Sequence, residues 1–126
     1  MTWESQIDEL TGTGKVLAAA FYGHKGDILA TSPGVTVGPT EVEKLVAAFN
    51  DDSDAISNGL YLEGTKFQYI NNKDGVLQAR DKESKSGMVC VLTKQSILVG
   101  FCEDDRIDNC LEAVKKTGDS LRALGK

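Results

Sequence analysis

The sequence predicts an α+β fold: one antiparallel sheet of about six to seven strands with helices on both of its faces. Amphipathic helical patterns occur at the start of the chain, near residues 40–49 and at the end. Short apolar runs separated by polar turns fill the segments between them. The length of 126 residues allows one hydrophobic core, which predicts a single domain over residues 1–126.

The first element is predicted to be a short amphipathic helix. Its apolar side chains, Trp3, Ile7 and Leu10, recur with helical spacing and fall on one face. Thr2 is suited to cap the N-terminus of this helix, and residues 11–14 end it.

A β-hairpin is predicted next. Residues 16–22 form an apolar run that suits a strand buried on both faces, and residues 28–31 suit the returning strand. The turn between them, residues 23–27, contains His24. We expect this histidine to be exposed and uninvolved, because glycines flank it in the turn.

The second helix has clear end signals. Thr40 and Glu43 have the spacing of a capping box, in which two backbone amides are satisfied reciprocally. Residues 50–52 end this helix, and residues 53–56 suit one further helical turn. Apolar side chains recur along it with helical period at Val42, Leu45, Val46 and Phe49.

Antiparallel sheet is predicted for most of the second half of the chain. Residues 71–75 are a strong turn signal between two of the strands. Three tyrosines, Tyr22, Tyr61 and Tyr69, fall on strands, where we expect them to pack against the sheet. The predicted strands of this half are residues 60–62, 66–70, 76–80, 88–92 and 97–101.

The closing segment from Arg106 is predicted to be helical, and Gly118 lies on its apolar face. Glycine costs about 1 kcal/mol in a helix interior. We therefore expect another element to approach closely at Gly118, and the first helix with Trp3 is the expected neighbour.

Composition excludes several classes of function. The net charge of −5 lacks the positive field that nonspecific nucleic-acid binding requires. No apolar run is long enough to span a membrane and no signal peptide is evident, so we expect a cytoplasmic protein. The cysteines, Cys90, Cys102 and Cys110, lack the spacing of zinc sites or disulfide frameworks, so we expect free thiols and no metal.

No motif indicates catalysis. Residues 11–15 lack the spacing of a phosphate loop and precede a strand rather than a helix. The carboxylates of residues 103–105 are better explained as a solvated loop before the last helix than as a metal or acid–base site. We expect no enzymatic activity and no cofactor.

Three stretches, in order along the whole chain, resemble the profilin family. The first contains Trp3, Ile7, Asp8, Leu10, Gly12, Thr13 and Gly14; the second contains Ser57, Asn58, Gly59, Leu60, Leu62, Gly64, Lys66 and Phe67; the third contains Gly87, residues 94–100 and Glu103. This resemblance implies that the terminal helices cover one face of the sheet and the middle helices the other. It also implies binding of monomeric actin, regulation of filament assembly and association with the cytoskeleton.

The resemblance implies actin contacts from the later strands and the start of the last helix. The matching basic residues are Lys66, Arg80 and Lys82, with Lys115 as a fourth. Arg80 and Lys82 alternate with Asp81, so in a strand their side chains would share one face. The alternative is a solvated strand edge, where lysines discourage aggregation.

In the family, a surface between the terminal helices binds proline-rich segments by laying them across aromatic side chains. Trp3 remains at the first aromatic position, and it equally suits a core position in its helix. We therefore expect a reduced or altered proline-rich site. Its positions are Trp3, Gln6, Leu29, Ser120, Leu121 and Lys126, of which only Trp3 is aromatic.

Inositol phospholipids are a third ligand of the family. The acidic net charge argues against strong binding, although Arg80, Lys82 and Lys85 leave a weak interaction open. Two other functions remain open: an adaptor on the same scaffold that binds another protein without actin, and a small-molecule sensor of the PAS type, which needs an apolar cavity. Nothing indicates an oligomer, and we expect a monomer.

Overall fold

The computed structural model describes residues 3–32, 35, 37–63, 65–73 and 75–125. Within these ranges the helices are α1 (Trp3–Gly12), α2 (Pro39–Asn50), α3 (Ser53–Asn58) and α4 (Ile107–Ala123), and a 3₁₀ turn at Asp104–Arg106 precedes α4. The strands are β1 (Ala18–Tyr22), β2 (Ile28–Thr31), β3 (Leu60–Leu62), β4 (Thr65–Lys73), β5 (Val76–Asp81), β6 (Ser86–Leu92) and β7 (Ile97–Glu103). Thr2, which was predicted to cap α1, lies outside the described residues.

The strands form one antiparallel sheet in the order β2-β1-β7-β6-β5-β4-β3. Because side chains alternate between the two faces of a strand, the sheet separates two hydrophobic clusters. One cluster holds α1 and α4 against the face that carries Phe21 and Leu98. The other holds α2 and α3 against the face that carries Tyr22 and Val99. This arrangement confirms the predicted α+β fold.

The start of α2 differs from the prediction. The helix begins at Pro39, whose fixed φ suits a first helical position, and Gly38 is the N-cap. Glu41 Oε1 accepts a hydrogen bond from the Gly38 amide at 3.0 Å. The predicted capping box at Thr40 and Glu43 is therefore wrong, because the N-cap is Gly38, two residues before Thr40.

The predicted turn at residues 71–75 is also largely wrong, since β4 continues through Lys73 with a bulge in its pairing to β5. Asn72 Nδ2 donates to the carbonyl oxygens of Ala48 at 3.4 Å and Phe49 at 3.3 Å. The last carbonyls of a helix have no partner within the helix. Asn72, a residue of β4, thus supplies hydrogen bonds to the last carbonyl groups of α2.

The close approach expected at Gly118 occurs, but its partner is a strand and not α1. A Cβ on Gly118 would overlap Val91 Cγ1 and lie 3.1 Å from Val91 Cβ, so α4 lies directly on β6. Trp3 packs instead against Phe21 of β1, with ring centroids 5.0 Å apart. The prediction that Trp3 is the neighbour of Gly118 is therefore wrong.

His24 has a structural role that the sequence did not indicate. Its imidazole is half-buried, and Nε2 donates to the carbonyl oxygen of Thr93 at 2.8 Å, with that of Ser96 at 3.3 Å. These contacts join the β1–β2 turn to the β6–β7 turn. The expectation of an uninvolved side chain is wrong, because the partners are distant in sequence.

Across the described ranges, no helix has both the length and the apolar character needed to cross a membrane. The same ranges contain no group of three or more His, Cys, Asp or Glu side chains that could hold a metal ion. Cys90, Cys102 and Cys110 are buried free thiols.

Candidate functional site

A cleft of about 420 Å³ opens between α3, the start of β4 and the turn after β5. Three of the four basic residues indicated by the sequence, Lys66, Arg80 and Lys82, line it, and we call it the basic cleft. Asp81 and Glu83 also line it. The surface of this cleft therefore carries a cationic excess within a chain whose net charge is −5.

Gly59 explains the position of Lys66. Lys66 pairs with Tyr61 across β3 and β4. Gly59 has φ +77°, and a Cβ at this position would lie 2.8 Å from the carbonyl oxygen of Phe67 and 3.0 Å from Lys66 Cε. A residue without a side chain is needed here, both for the left-handed backbone and to leave room for the lysine.

Arg80 and Lys82 reach the cleft by different routes. Arg80 lies on β5, which ends at Asp81, and Lys82 lies in the following turn. Asp81 shapes this turn by accepting hydrogen bonds from the Glu83 amide at 3.1 Å and the Ser84 hydroxyl at 2.8 Å. The expectation that Arg80 and Lys82 share one face of a strand is thus wrong, although the turn brings both to the same cleft.

Exposed apolar side chains accompany these cations. Ile56, which lines the cleft, is 64% exposed, and Tyr61, the strand partner of Lys66, is 45% exposed. Isolated exposed apolar residues are common, but these two lie beside a concave charged surface. The prediction that Tyr61 packs against the sheet is therefore wrong. Tyr61 lies on β3, a three-residue strand at the edge of the sheet, and such a short strand gives no sequence signal that one of its faces is open.

The other two tyrosines do pack against the sheet, as predicted. Tyr22 is fully buried, and burial raises its pKa to about 12. Tyr69 is half-buried and donates a hydrogen bond to Asp52 Oδ2 at 2.8 Å. Burial, followed by the hydrogen bond to this carboxylate, raises the pKa of Tyr69 to about 12. Both phenols are therefore neutral at physiological pH.

Lys115, the fourth basic residue, is exposed on α4 and is not among the residues that line the basic cleft. The structure therefore does not bring it together with the other three.

A groove of about 230 Å³ lies between α1 and α4. Gln6 and Ser120, two positions of the expected proline-rich site, line it. Glu9 and Lys116 place charges along the groove, and the exposed Leu124 also lines it. Leu10, Ala113 and Leu124 add apolar surface, but no aromatic ring lines the groove among the described residues.

The remaining positions of that site lie outside this groove. Trp3 and Leu29 are half-buried and pack against the cluster beneath α1 and α4. Leu121 is a core residue, only 2% exposed. Lys126 lies outside the described residues. Trp3 is thus not among the residues that line the groove with Gln6 and Ser120, and its ring packs on Phe21.

The sequence model of profilin matches residues 1–126. The chain belongs to the profilin family. Profilins are actin-binding proteins of the cytoskeleton and are not enzymes.

Solved and curated profilins resemble this chain over most of its length. The profilin of Saccharomyces cerevisiae is 37% identical over 100 residues, which cover 79% of this chain and 78% of the yeast protein. Acanthamoeba castellanii profilin II, which has a crystal structure, is 32% identical to this chain in sequence. The two structures match with a TM-score of 0.92 over 99% of this chain and 100% of that one. The sheet and the two helical layers are thus those of a profilin.

Mouse profilin IIa, solved in complex with a double repeat from the FH1 domain of mDia1, is more distant. It has a TM-score of 0.84 and 18% identity, and the match covers 100% of both chains. At this identity the likeness concerns the fold.

Proposed function

We propose that this profilin binds monomeric actin through the basic cleft and the apolar side chains beside it, and thereby regulates filament assembly. The observation that carries the proposal is the convergence of Lys66, Arg80 and Lys82 on one cleft from β4, β5 and the following turn. Membership of an actin-binding family supports actin as the partner.

The charged and apolar parts of this surface have different effects on binding. Cations at an interface mainly increase the association rate and select the partner, because water and salt screen them. Aromatic and apolar side chains that become buried carry more of the affinity. We therefore expect Ile56 and Tyr61 to contribute more to affinity than any one cation, since both expose large apolar areas that a partner can cover.

Lys115 is a peripheral contact in this proposal. It is exposed on α4 and lies outside the cleft lining. A cation at the rim of an interface typically contributes little to affinity. We expect replacement of Lys115 alone to have a smaller effect than replacement of a cation in the cleft.

A paired charge reversal tests the proposal. Arg80→Glu combined with Lys82→Glu should weaken actin binding on the order of tenfold or more, because like charges then meet across the interface. The measurement is the lag and rate of pyrene-actin assembly, titrated with wild type and with the variant. Wild type should slow spontaneous nucleation, and the variant should do so only at much higher concentration.

Lys25→Glu with Lys94→Glu is the matched control. Both lysines are exposed and lie in the turns 23–27 and 93–96. Since β6 begins beside the turn of Lys82 and ends before that of Lys94, these turns lie at the opposite end of the sheet. The control makes the same change in net charge, so equal weakening by both variants would mean that global charge, not the cleft, decides binding.

A sharp loss of thermal stability in the Arg80→Glu and Lys82→Glu variant would show that these residues are structural instead. Normal actin assembly at a large molar excess of wild type would favour the alternative function, an adaptor that binds another protein without actin. The exposed Ile56 and Tyr61 would then be candidate contacts for that other protein.

We also propose that binding of proline-rich segments is reduced or altered. The groove between α1 and α4 is lined by polar Gln6 and Ser120, and Trp3 packs on Phe21 outside it. Each missing aromatic contact costs on the order of 1–2 kcal/mol at a peptide site. Mouse profilin IIa, with its FH1 repeats, would be the positive control for a titration followed by Trp3 fluorescence. A saturable Trp3 response at micromolar peptide would contradict this proposal.

The chain is proposed to act as a monomeric, single-domain protein of the cytoplasm that associates with the cytoskeleton. Weak binding of inositol phospholipids is proposed at Arg80, Lys82 and Lys85, where the cations could meet phosphate groups. The overall charge of −5 opposes stronger binding to an anionic membrane.

A further inference from the structure

The end of α3 carries a chemically reactive pair of residues. Asn58 is the last residue of α3 and Gly59 follows it, and no other asparagine of the chain precedes a glycine. The side-chain amide of an asparagine can be attacked by the backbone nitrogen of the next residue, and a glycine at that position has no Cβ to hinder the approach. Asn58 is exposed, so water and hydroxide reach it.

Two hydrogen bonds hold this pair in an unreactive arrangement. Asn58 Nδ2 donates to Asp54 Oδ1 at 2.7 Å, and the Gly59 amide donates to the carbonyl oxygen of Ala55 at 2.8 Å. The first bond directs the side-chain amide back along the helix, and the second keeps the proton on the nitrogen that would have to attack. Both bonds belong to the last turn of α3, so the pair reacts only when that turn opens.

We propose that Asn58 is a site of spontaneous deamidation that the last turn of α3 restrains, and that its conversion to aspartate or isoaspartate opens α3 beside the basic cleft. The co-reactant is water. The modification itself does not depend on the binding of actin, whereas its effect on binding rests on the proposed function.

The reaction balances with water and needs no oxidant. The Gly59 nitrogen loses its proton to hydroxide and attacks Asn58 Cγ, the bond between Cγ and Nδ2 breaks, and ammonia leaves with a proton from water. A cyclic imide remains. Water then opens it: cleavage of the bond between Cγ and the Gly59 nitrogen gives aspartate, and cleavage of the bond from that nitrogen to the backbone carbonyl carbon gives isoaspartate. One water is consumed and one ammonia released.

The helix that restrains the pair is itself weakly held. α3 has six residues, all within the described ranges, and Ala55 is the buried one among them. A helix this short is marginal by itself, and a segment with little buried apolar surface opens without unfolding of the whole protein. We therefore expect the folded protein to react slowly, through local opening of α3.

The product removes the restraint that delayed its formation. A carboxylate at position 58 stands one helical turn after the Asp54 carboxylate, so repulsion replaces the hydrogen bond. The helix dipole also disfavours a negative charge at the C-terminus of a helix. Isoaspartate in addition lengthens the main chain next to Gly59, where φ is +77° and an added Cβ would lie 2.8 Å from the carbonyl oxygen of Phe67.

The position of α3 connects this chemistry to the basic cleft. Ala55, Ile56 and Ser57, three residues of α3, line the cleft. Opening of the helix would therefore displace that part of the cleft wall, including the exposed side chain of Ile56.

The test incubates the full-length protein in mildly alkaline buffer, with and without guanidinium chloride, and maps its peptides by mass spectrometry at intervals. We expect the Asn58 peptide to gain the mass that accompanies exchange of NH2 for OH and to separate into aspartate and isoaspartate forms. Conversion should be on the order of tenfold faster in the unfolded protein, because the last turn of α3 protects only the folded one. The internal controls, which should stay largely unchanged, are Asn50, Asn71, Asn72 and Asn109.

A substitution at Asp54 tests the restraint. Asp54→Ala removes the acceptor and should speed deamidation of the folded protein severalfold, without changing the rate in guanidinium chloride. Glu43→Ala, which removes an exposed carboxylate from α2, is the matched control and should leave both rates unchanged. An unchanged rate in Asp54→Ala, equal rates in folded and unfolded protein, or conversion mainly at another asparagine would each overturn the proposal.

Asn58→Asp reproduces one product and tests its consequence. Hydrogen exchange at the amides of α3 should be faster than in wild type, and slowing of pyrene-actin assembly should require a severalfold higher concentration. Gln95→Glu makes the same change in charge at an exposed position in the turn 93–96 and should change neither readout. Wild type without effect on assembly would refute the proposed function and leave the peptide map intact. Wild type that slows assembly, with Asn58→Asp identical to it in both readouts, would refute the link between Asn58 and the cleft.

Discussion

Replacement of Gly118 by alanine tests how α4 is held on the sheet. The substitution adds one methyl group at a buried helical position. Two effects oppose each other. Alanine favours a helix interior over glycine by about 1 kcal/mol, whereas the new Cβ would overlap Val91 Cγ1 and approach Val91 Cβ at 3.1 Å and Cγ2 at 3.3 Å.

The packing of Val91 decides which effect is larger. Val91 is 1% exposed and lies on β6, which is paired on both sides by β5 and β7. The strand therefore cannot move away from the helix without loss of sheet hydrogen bonds. Overpacking of a rigid core costs about 1–3 kcal/mol, and here we expect the upper part of that range. The expected net loss in the free energy of unfolding is about 1–2 kcal/mol.

Urea unfolding followed by circular dichroism measures this loss. Gly12→Ala is the matched control, because Gly12 ends α1 and has no atom within 4 Å of an added Cβ. It should leave stability unchanged or slightly increased. The double variant Gly118→Ala with Val91→Ala should show positive coupling, since truncation of Val91 makes room for the new methyl group.

Gly118→Ala with wild-type stability or greater would refute this reasoning. It would mean that α4 shifts by a few tenths of an ångström at little cost, and that Gly118 is not required for docking. Equal effects of Gly118→Ala in the wild-type and Val91→Ala backgrounds would likewise show that Val91 is not the obstacle.

Two further predictions concern Arg122 and the buried tyrosines. Arg122→Ala should lower the free energy of unfolding by about 1–2 kcal/mol, as measured by chemical denaturation. The reason is that the Arg122 guanidinium donates to the carbonyl oxygen of Leu92 at 2.7 Å and to that of Gly75 at 3.3 Å. No loss of stability would show that water replaces these bonds. In a spectrophotometric pH titration, Tyr22 and Tyr69, whose pKa values are about 12, should ionise only as the pH approaches that value. Since the folded-state pKa values of these two phenols are raised, their stabilising contribution is complete below about pH 10 and is lost as the pH rises towards 12. Ionisation of either phenol near pH 10 in the folded protein would contradict this.

The secondary structure was largely predictable because its signals are local. The apolar period of residues 42–49 and the short alternating runs of the second half indicated the correct elements. The errors occurred where a distant partner decides a residue's role. Asn72 reads as part of a turn but caps α2 from within β4, and His24 reads as an exposed turn residue but binds the carbonyl oxygen of Thr93.

The candidate site was predictable in its residue types but not in its geometry. Lys66, Arg80 and Lys82 were indicated by the family resemblance, yet their meeting in one cleft depends on the pairing of β4 with β5 and on the turn shaped by Asp81. The exposure of Tyr61 depends on β3 being the edge of the sheet. Neither strand order nor edge position is encoded in the period of a single segment.

The sequence by itself determined the class of fold, the positions of most helices and strands, the acidic overall charge and the non-aromatic identity of Gln6, Leu29 and Ser120. These properties depend on local periodicity and on residue identity, which can be read along the chain. Only the tertiary structure decided that Gly118 rests on Val91 and that Lys115 stands apart from the other cations. Such contacts depend on which elements pack together, and packing depends on the summed burial of many residues rather than on any one of them.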